Sequence, residues 1–373
     1  MAIRPELRAR WTERLKEISK RPLAYRANFP EIAERWEAWW RFDADRPLLV
    51  GAVPDRSAAP DLRRDKLFDL IGEPDQWLEL RQRQMEHTFW IDQAVPHVRV
   101  DIGPVATAAY LGAPLHFALA EDTAWLSPLM ASDEWDFPTI DPGSGILAMT
   151  LELARRTAKA GAGRFLVAVP DLSGPSDVLA ALRGTEQMLL DLVDRPAEVR
   201  RSSSRLVESW EVVFTEMYDA ILTEVAGPST WLFAWSSIPY TVPTCDFNAM
   251  VGPAQFNDLC LPPLEEQARR AGRCLFHLDG PDAARHAPAL CGSSAISAIQ
   301  YTPGAGTPSA VARIAMLAEI QAAGKPILVI CPAGEAAELC RRLDRRGLAV
   351  WPDGLTTPEQ ARELERACLG SSH

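Results

Sequence analysis

The sequence predicts an α/β chain folded as a single (β/α)8 TIM barrel, with helices ahead of the first strand and insertions over the carboxyl ends of the strands. Three observations carry that expectation. Eight short apolar, β-branched runs recur along the chain, each bounded by Gly, Pro or Asp. Helical patterns separate most of them, which implies parallel strands joined by crossovers. The runs are almost continuously apolar, as strands covered on both faces are.

In chain order, residues 1–45 form a helical extension and 46–373 the barrel. The extension carries two amphipathic helices, Pro5–Arg21 and Pro30–Phe42, and the second spaces Trp36, Trp39 and Trp40 as a packing stripe. Strands are predicted at Pro47–Val53, His97–Gly103, Arg164–Pro170 and Thr230–Trp235 in the first half. The second half continues with Arg273–Asp279, Ala295–Tyr301, Pro326–Pro332 and Leu348–Asp353. Helices are expected at Leu151–Ala160, Glu198–Val225, Pro253–Ala271, Ala310–Ala323 and Gly334–Arg346. The last, Thr357–Ala367, starts with Thr357 as N-cap and Pro358 in the first turn, where its missing N–H costs nothing. Spacing between the early strands is wide, so insertions gather there: a hairpin over Leu115–Pro128 and a long loop, Ser236–Gly252.

Composition narrows the function. A net charge of -11 disfavours nucleic acid and anionic membranes, both of which call for a basic face. No run reaches the ~18 apolar residues of a membrane span, and the charged start lacks a signal-peptide core. Seven scattered cysteines without a CxxC pair suit reduced thiols in a cytoplasm. There is no P-loop, GxGxxG, GxSxG or HExxH motif; the glycine-rich Pro303-Gly304-Ala305-Gly306 reads as a tight turn.

In such barrels the working groups come from strand ends. Those positions are Asp101, Asp171, Trp235, His277 with Asp279, Gln300, Cys331 and Asp353. Four strands thus finish in a carboxylate, which favours an acidic cavity over a set of helix caps. His277 and Asp279 stand out, because residues i and i+2 of a strand share a face. Such a pair chelates a divalent metal or joins a general base to its orienting acid. The loop residues Cys245 and Asp246 are candidates to complete a site with His277, since zinc accepts N, S and O donors together. Cys331 reads as an inert core thiol.

Ordered blocks along most of the chain carry a family resemblance. They include Leu111-Gly112-Ala113-Pro114, Val169-Pro170-Asp171-Leu172, Cys245-Asp246-Phe247-Asn248, His277-Leu278-Asp279-Gly280-Pro281 and Gln300-Tyr301-Thr302-Pro303. With these the chain resembles the uroporphyrinogen decarboxylase superfamily, and within it uroporphyrinogen decarboxylase-like proteins related to the zinc-dependent corrinoid methyltransferases. The resemblance implies the barrel. It also implies one of two chemistries.

The decarboxylases grip tetrapyrrole carboxylates with an arginine-rich loop after the first strand. Here that place reads Val53-Pro54-Asp55-Arg56-Ser57-Ala58, which supplies only Arg56. The methyltransferases hold zinc through a His-x-Cys pair and a distant cysteine. In this chain Asp279 stands for the first cysteine, and no cysteine lies near Gly354-Leu355-Thr356. The implied function is metal-dependent transfer of a methyl or other one-carbon group to or from a small molecule. Zinc would be held by His277, Asp279, Asp246 and Cys245, with a corrinoid carried on a separate protein and a homodimer as the assembly. His277, Asp279, Asp101 and Asp246 are the catalytic candidates; Trp235, Gln300, Tyr301, Asp171, Arg56 and Trp351 would surround the substrate. Two alternatives stand beside it. One is a metal-free decarboxylase or lyase on a small carboxylic acid, using Asp101, Asp171 and His277 with Arg56 or Arg183 as the carboxylate grip. The other is a non-catalytic ligand- or corrinoid-binding homologue.

Overall fold

Parallel strands alternate with helices along the chain. The computed structural model describes residues 3–54, 73–118, 123–131, 133–222, 226–304, 306 and 309–370. The opening helices are Pro5–Ser19 and Phe29–Trp40, close to their predicted bounds. Trp36, Trp39 and Trp40 are all buried, and two of their indoles also bond backbone: Trp36 Nε1 donates to Gln93 O (3.0 Å) and Trp40 Nε1 to Trp235 O (2.8 Å). The stripe is therefore packing. On the first helix, Trp11 packs on Phe214 and Tyr218 and donates to Asp219 Oδ1 at 2.7 Å.

The strands in chain order are β1 (Leu48–Leu49), β2 (Ala52–Pro54), β3 (Thr88–Trp90), β4 (His97–Arg99), β5 (Leu115–Ala118), β6 (Thr123–Leu126) and β7 (Leu166–Ala168). They continue as β8 (Pro228–Ser229), β9 (Tyr240–Thr241), β10 (Arg273–Asp279), β11 (Ala298–Thr302), β12 (Ile327–Pro332) and β13 (Leu348–Asp353). Two sheets are parallel throughout. One has the order β1-β13-β12-β11-β10-β9, the other β4-β7-β8. Among the described residues the expected single ring is thus observed as two arcs, without a continuous ladder between them. Two antiparallel hairpins are added, β2-β3 and β5-β6, the latter where a hairpin is predicted.

Alternation along the long sheet divides its side chains between two cores. Leu48, Leu275, Ala298, Leu328 and Ala349 join one cluster, with Ile330 and Trp351 packed against it. Their neighbours Cys274, Phe276, Leu278, Ile299, Tyr301, Val329, Cys331 and Val350 join the other, with Leu264, Leu290, Leu317 and Leu339 from the helices between strands. One face of the sheet is therefore covered by helices. The opposite face carries His277 and Asp279 at its carboxyl end, because strand residues two apart share a side.

Two elements depart from expectation. The fourth strand is predicted at Thr230–Trp235, but β8 ends at Ser229 and β9 begins at Tyr240. Between them Phe233 has φ +60° and its N–H bonds Thr230 O at 3.3 Å, so the apolar run is a turn rather than a strand. The predicted helix Pro253–Ala271 is interrupted by a π turn over Phe256–Cys260 before the regular helix Leu261–Ala271. Pro262 and Pro263 have no N–H to give the preceding turn, which is the physical cause of the break. Four further helices lie among the described residues before the long helix Pro196–Leu222: Pro74–Glu86, Ala106–Tyr110, Pro175–Arg183 and Thr185–Asp194. The final helix, Pro358–Leu369, does start with the predicted cap: Thr357 and Gln360 form a reciprocal capping box. Among the described residues, no helix is long and apolar enough to cross a membrane.

Candidate metal centre

The site is built at the carboxyl end of β10 and on the loop that follows β9. In register, His277 lies opposite Gln300 and Asp279 opposite Thr302 on β11. Gln300 is fully buried; its Oε1 contacts His277 Nδ1, and its amide nitrogen bonds Thr302 Oγ1 at 2.8 Å. A carbonyl oxygen only accepts, so this contact favours the His277 tautomer with its proton on Nδ1. The Nε2 lone pair is then left to face a ligand, as in metal-bound histidines oriented by an outer hydrogen bond. Burial pushes the His277 pKa down, which keeps the ring neutral and able to ligate.

The loop brings a second carboxylate. Asp177, in the first turn of Pro175–Arg183, is buried and accepts from Thr244 Oγ1 (2.8 Å), Asp246 N (3.0 Å) and Phe247 N (3.0 Å). Those three bonds hold the short 3-10 turn Asp246–Met250 against the helix. The close approach depends on Gly174: a Cβ there would stand 2.4 Å from Thr244 O, to which Gly174 N already donates. Asp246 is thereby delivered to β10. One donor atom from each of Asp246, His277 and Asp279 lies within 4.8 Å of the others.

The electrostatics of this trio are unbalanced. Asp279 Oδ1 is buried with no hydrogen-bond partner among the described residues. Burial, with the charges of Asp177, Asp279 and Asp171, pushes the Asp246 carboxyl up to about 8. Asp171, at the end of the β7 segment, is driven up to about 6, chiefly by burial and then by Asp101 and Asp177, against the bonds from Ser173. Burial also raises Asp177. Carboxylates that crowd together this way stabilise one another only when a proton or a cation lies between them. One imidazole and two carboxylates suit a divalent ion, and three protein ligands leave a coordination position open for a substrate.

The other predicted residues are distributed around this centre. Asp101 is ion-paired with Arg99 and accepts from Gly103 N at 2.9 Å, so it stands beside Asp171 but outside the trio. Trp351 belongs to an aromatic wall: its ring lies 6.3 Å from Trp231 and 4.9 Å from Phe233, and Trp231 meets His277 edge-on at 5.2 Å.

Three predicted residues point elsewhere. Trp235 is fully buried against Phe29, beneath the turn that replaced the fourth strand, and Trp231 takes the place expected of it. Tyr301 follows Gln300 and so occupies the helix-facing core. Cys245 precedes Asp246 and also faces the helices, where hydrogen bonding to Cys260 and burial raise its thiol well above the usual range. No thiolate from Cys245 therefore joins the trio. Arg183 is equally unavailable as a carboxylate grip: it is buried, ion-paired with Asp191 and stacked 3.9 Å over Trp135. Arg56 lies outside the described residues.

Asp177, Trp231 and Gly174 were not evident as site residues in the sequence. An Asp in a first helical turn carries only a dipole signal. Trp231 was hidden inside a mistaken strand.

No family model matches the chain, and no curated protein sequence does. Among solved structures it is similar to a methyltransferase from Methanosarcina mazei, with a TM-score of 0.59 and 11% identity. The match covers 90% of this chain and 98% of that one. At that identity the likeness is one of fold.

Proposed function

We propose that the protein is a metal-dependent enzyme that transfers a methyl or other one-carbon group to or from a small molecule. In this reading the two parallel arcs are halves of one (β/α)8 barrel, and Asp246, His277 and Asp279 hold a zinc ion at its carboxyl end. The observation that carries the reading is the trio itself: three donors within 4.8 Å, with a buried carboxylate oxygen that accepts no hydrogen bond among the described residues. Similarity of fold to a methyltransferase over nine-tenths of the chain supports the reaction class.

Each residue then has a task. Gln300 fixes the His277 ring and its tautomer; Asp177 fixes the loop that presents Asp246. Trp231, Phe233 and Trp351 wall the approach to His277 with apolar surface, which excludes water from a transferring methyl group. Asp171, whose carboxyl burial and its acidic neighbours raise to about 6, would serve as the proton acceptor for an acidic nucleophile. A zinc ion, when bound, would lower the pKa of a coordinated thiol or related nucleophile toward neutrality. Its shell would be richer in oxygen than a thiolate site, so the activated group would carry less charge from the metal.

The test is metal analysis of protein purified without chelator, paired with methylcob(III)alamin and a panel of small thiols. A stoichiometric divalent ion is expected, lost in His277→Ala, together with chelator-sensitive loss of the cobalt-bound methyl group in the visible spectrum. Absence of stoichiometric metal, or metal content unchanged in His277→Ala, would overturn the reading.

A further inference from the structure

A second polar cavity lies away from the metal centre and holds an unusual charge for this protein. Its walls come from the helix Phe29–Trp40, from β3 and the residues after it, and from the last helix, enclosing about 630 Å³. Arg46 precedes β1 and Leu49 N bonds Asp92, so the cavity sits beside the amino ends of the strands, opposite to His277 and Asp279. Five arginines line it (Arg26, Arg35, Arg46, Arg362 and Arg366), against two carboxylates, Asp92 and Glu365. The chain as a whole carries -11.

Those carboxylates are already engaged. Asp92 is held bidentately by Arg46 (2.8 and 2.7 Å) and also accepts from Leu49 N and Gln93 Nε2. Glu365 accepts from Asp92 N at 2.8 Å. Arg362 reaches Glu359 at 3.4 Å and lies over the Phe89 ring. Arg35 and Arg366 have no ion-pair partner among the described residues. Arg26 gives one nitrogen to Trp90 O, while its Nε is buried without an acceptor among the described residues. The cavity therefore offers surplus cationic donors beside the stacked pair of Phe89 and Arg362.

We propose that this cavity binds a small organic dianion, its phosphate or paired carboxylates among Arg26, Arg35 and Arg366 and its planar or apolar body along Phe89. Charge-assisted bonds from arginine forks select such oxyanions, and an aromatic wall selects an attached ring over a bare ion. The proposal is independent of the metal-centre reading, because the two sites share no residue.

The experiment is calorimetric titration of the full chain with inorganic phosphate, citrate and adenosine monophosphate, in wild type, in Arg35→Gln/Arg366→Gln and in Lys159→Gln. Neither Arg35 nor Arg366 supports an ion pair among the described residues, and Lys159→Gln, which removes one positive charge from an exposed position elsewhere, controls for charge loss away from the cavity. Saturable binding is expected, with the double variant weaker by at least about tenfold, the worth of one charge-assisted hydrogen bond. Lys159→Gln should bind as wild type does. Tighter binding of adenosine monophosphate than of phosphate assigns the aromatic wall, and tighter binding of citrate assigns a polycarboxylate. Absence of saturable binding by all three probes, or equal affinity in the double variant with an unchanged circular dichroism spectrum, would overturn the proposal.

Discussion

Replacing Asp279 by Asn separates a metal ligand from a structural carboxylate, because the two roles predict opposite effects on the metal-free protein. Asn keeps the shape and an oxygen donor but removes the charge. In the metal-free protein that charge is unfavourable. Above pH about 8, where the Asp246 carboxyl is ionised, it lies within 4.8 Å of a second negative charge, and two like charges at that distance cost about 3 kcal/mol at an effective dielectric of about 20. Asp246 is exposed along part of its surface, so screening reduces the figure to about 1 kcal/mol. Nothing is lost in exchange, since Asp279 Oδ1 accepts no hydrogen bond among the described residues. Asp279→Asn should therefore leave metal-free stability unchanged at neutral pH, where Asp246 is protonated, and raise it by about 1 kcal/mol above pH about 8 in urea unfolding. Zinc affinity should fall by at least about 100-fold, beyond the effect of losing an outer hydrogen bond to a ligand. Competition with a chromophoric chelator measures the second quantity. Equal zinc affinity, or a metal-free variant several kcal/mol less stable than wild type, would refute the assignment of Asp279 as a ligand.

The same charge cluster predicts a pH dependence. The Asp246 carboxyl is raised to about 8 in the folded metal-free protein from an ordinary 3.8, so it contributes stability at low pH that is lost as pH rises through that interval. Saturating zinc should flatten this slope, and thermal melts between pH 5 and about 8 check it. Gln300→Leu should lower zinc affinity by about 10–100-fold through loss of His277 orientation, with the circular dichroism spectrum retained. Gly174→Ala sets a methyl group 2.4 Å from Thr244 O and 2.6 Å from Leu264 Cδ2. It should cost about 1–3 kcal/mol in urea unfolding and weaken zinc binding together. Asp191→Ala removes the buried carboxylate that neutralises the Arg183 guanidinium and should cost about 3–5 kcal/mol in the same assay, with zinc affinity unaltered.

Some of this protein was legible in the chain because it depends on local pattern. β10, β11, β12 and β13 fall within a few residues of their predicted bounds, since buried parallel strands are continuous apolar runs. The cap of the last helix and the packing role of the tryptophan stripe follow from spacing alone. So does the shared face of His277 and Asp279. Period two also argues against Tyr301, which cannot point the same way as Gln300. That inference was available from the sequence without any structure.

What the sequence could not determine is which distant segments meet. The run Thr230–Trp235 is as apolar as a strand, yet packing of Trp235 on Phe29 and of Trp231 beside His277 holds it as a turn with Phe233 at positive φ. Cys245 and Asp246 are adjacent in sequence, and only the three bonds to Asp177 decide that the carboxylate, not the thiol, reaches β10. The His277 and Asp279 pair was set by strand geometry, which is local. Its third partner was set by a helix turn about 70 residues earlier, because a buried carboxylate must find donors and the nearest ones belong to that loop.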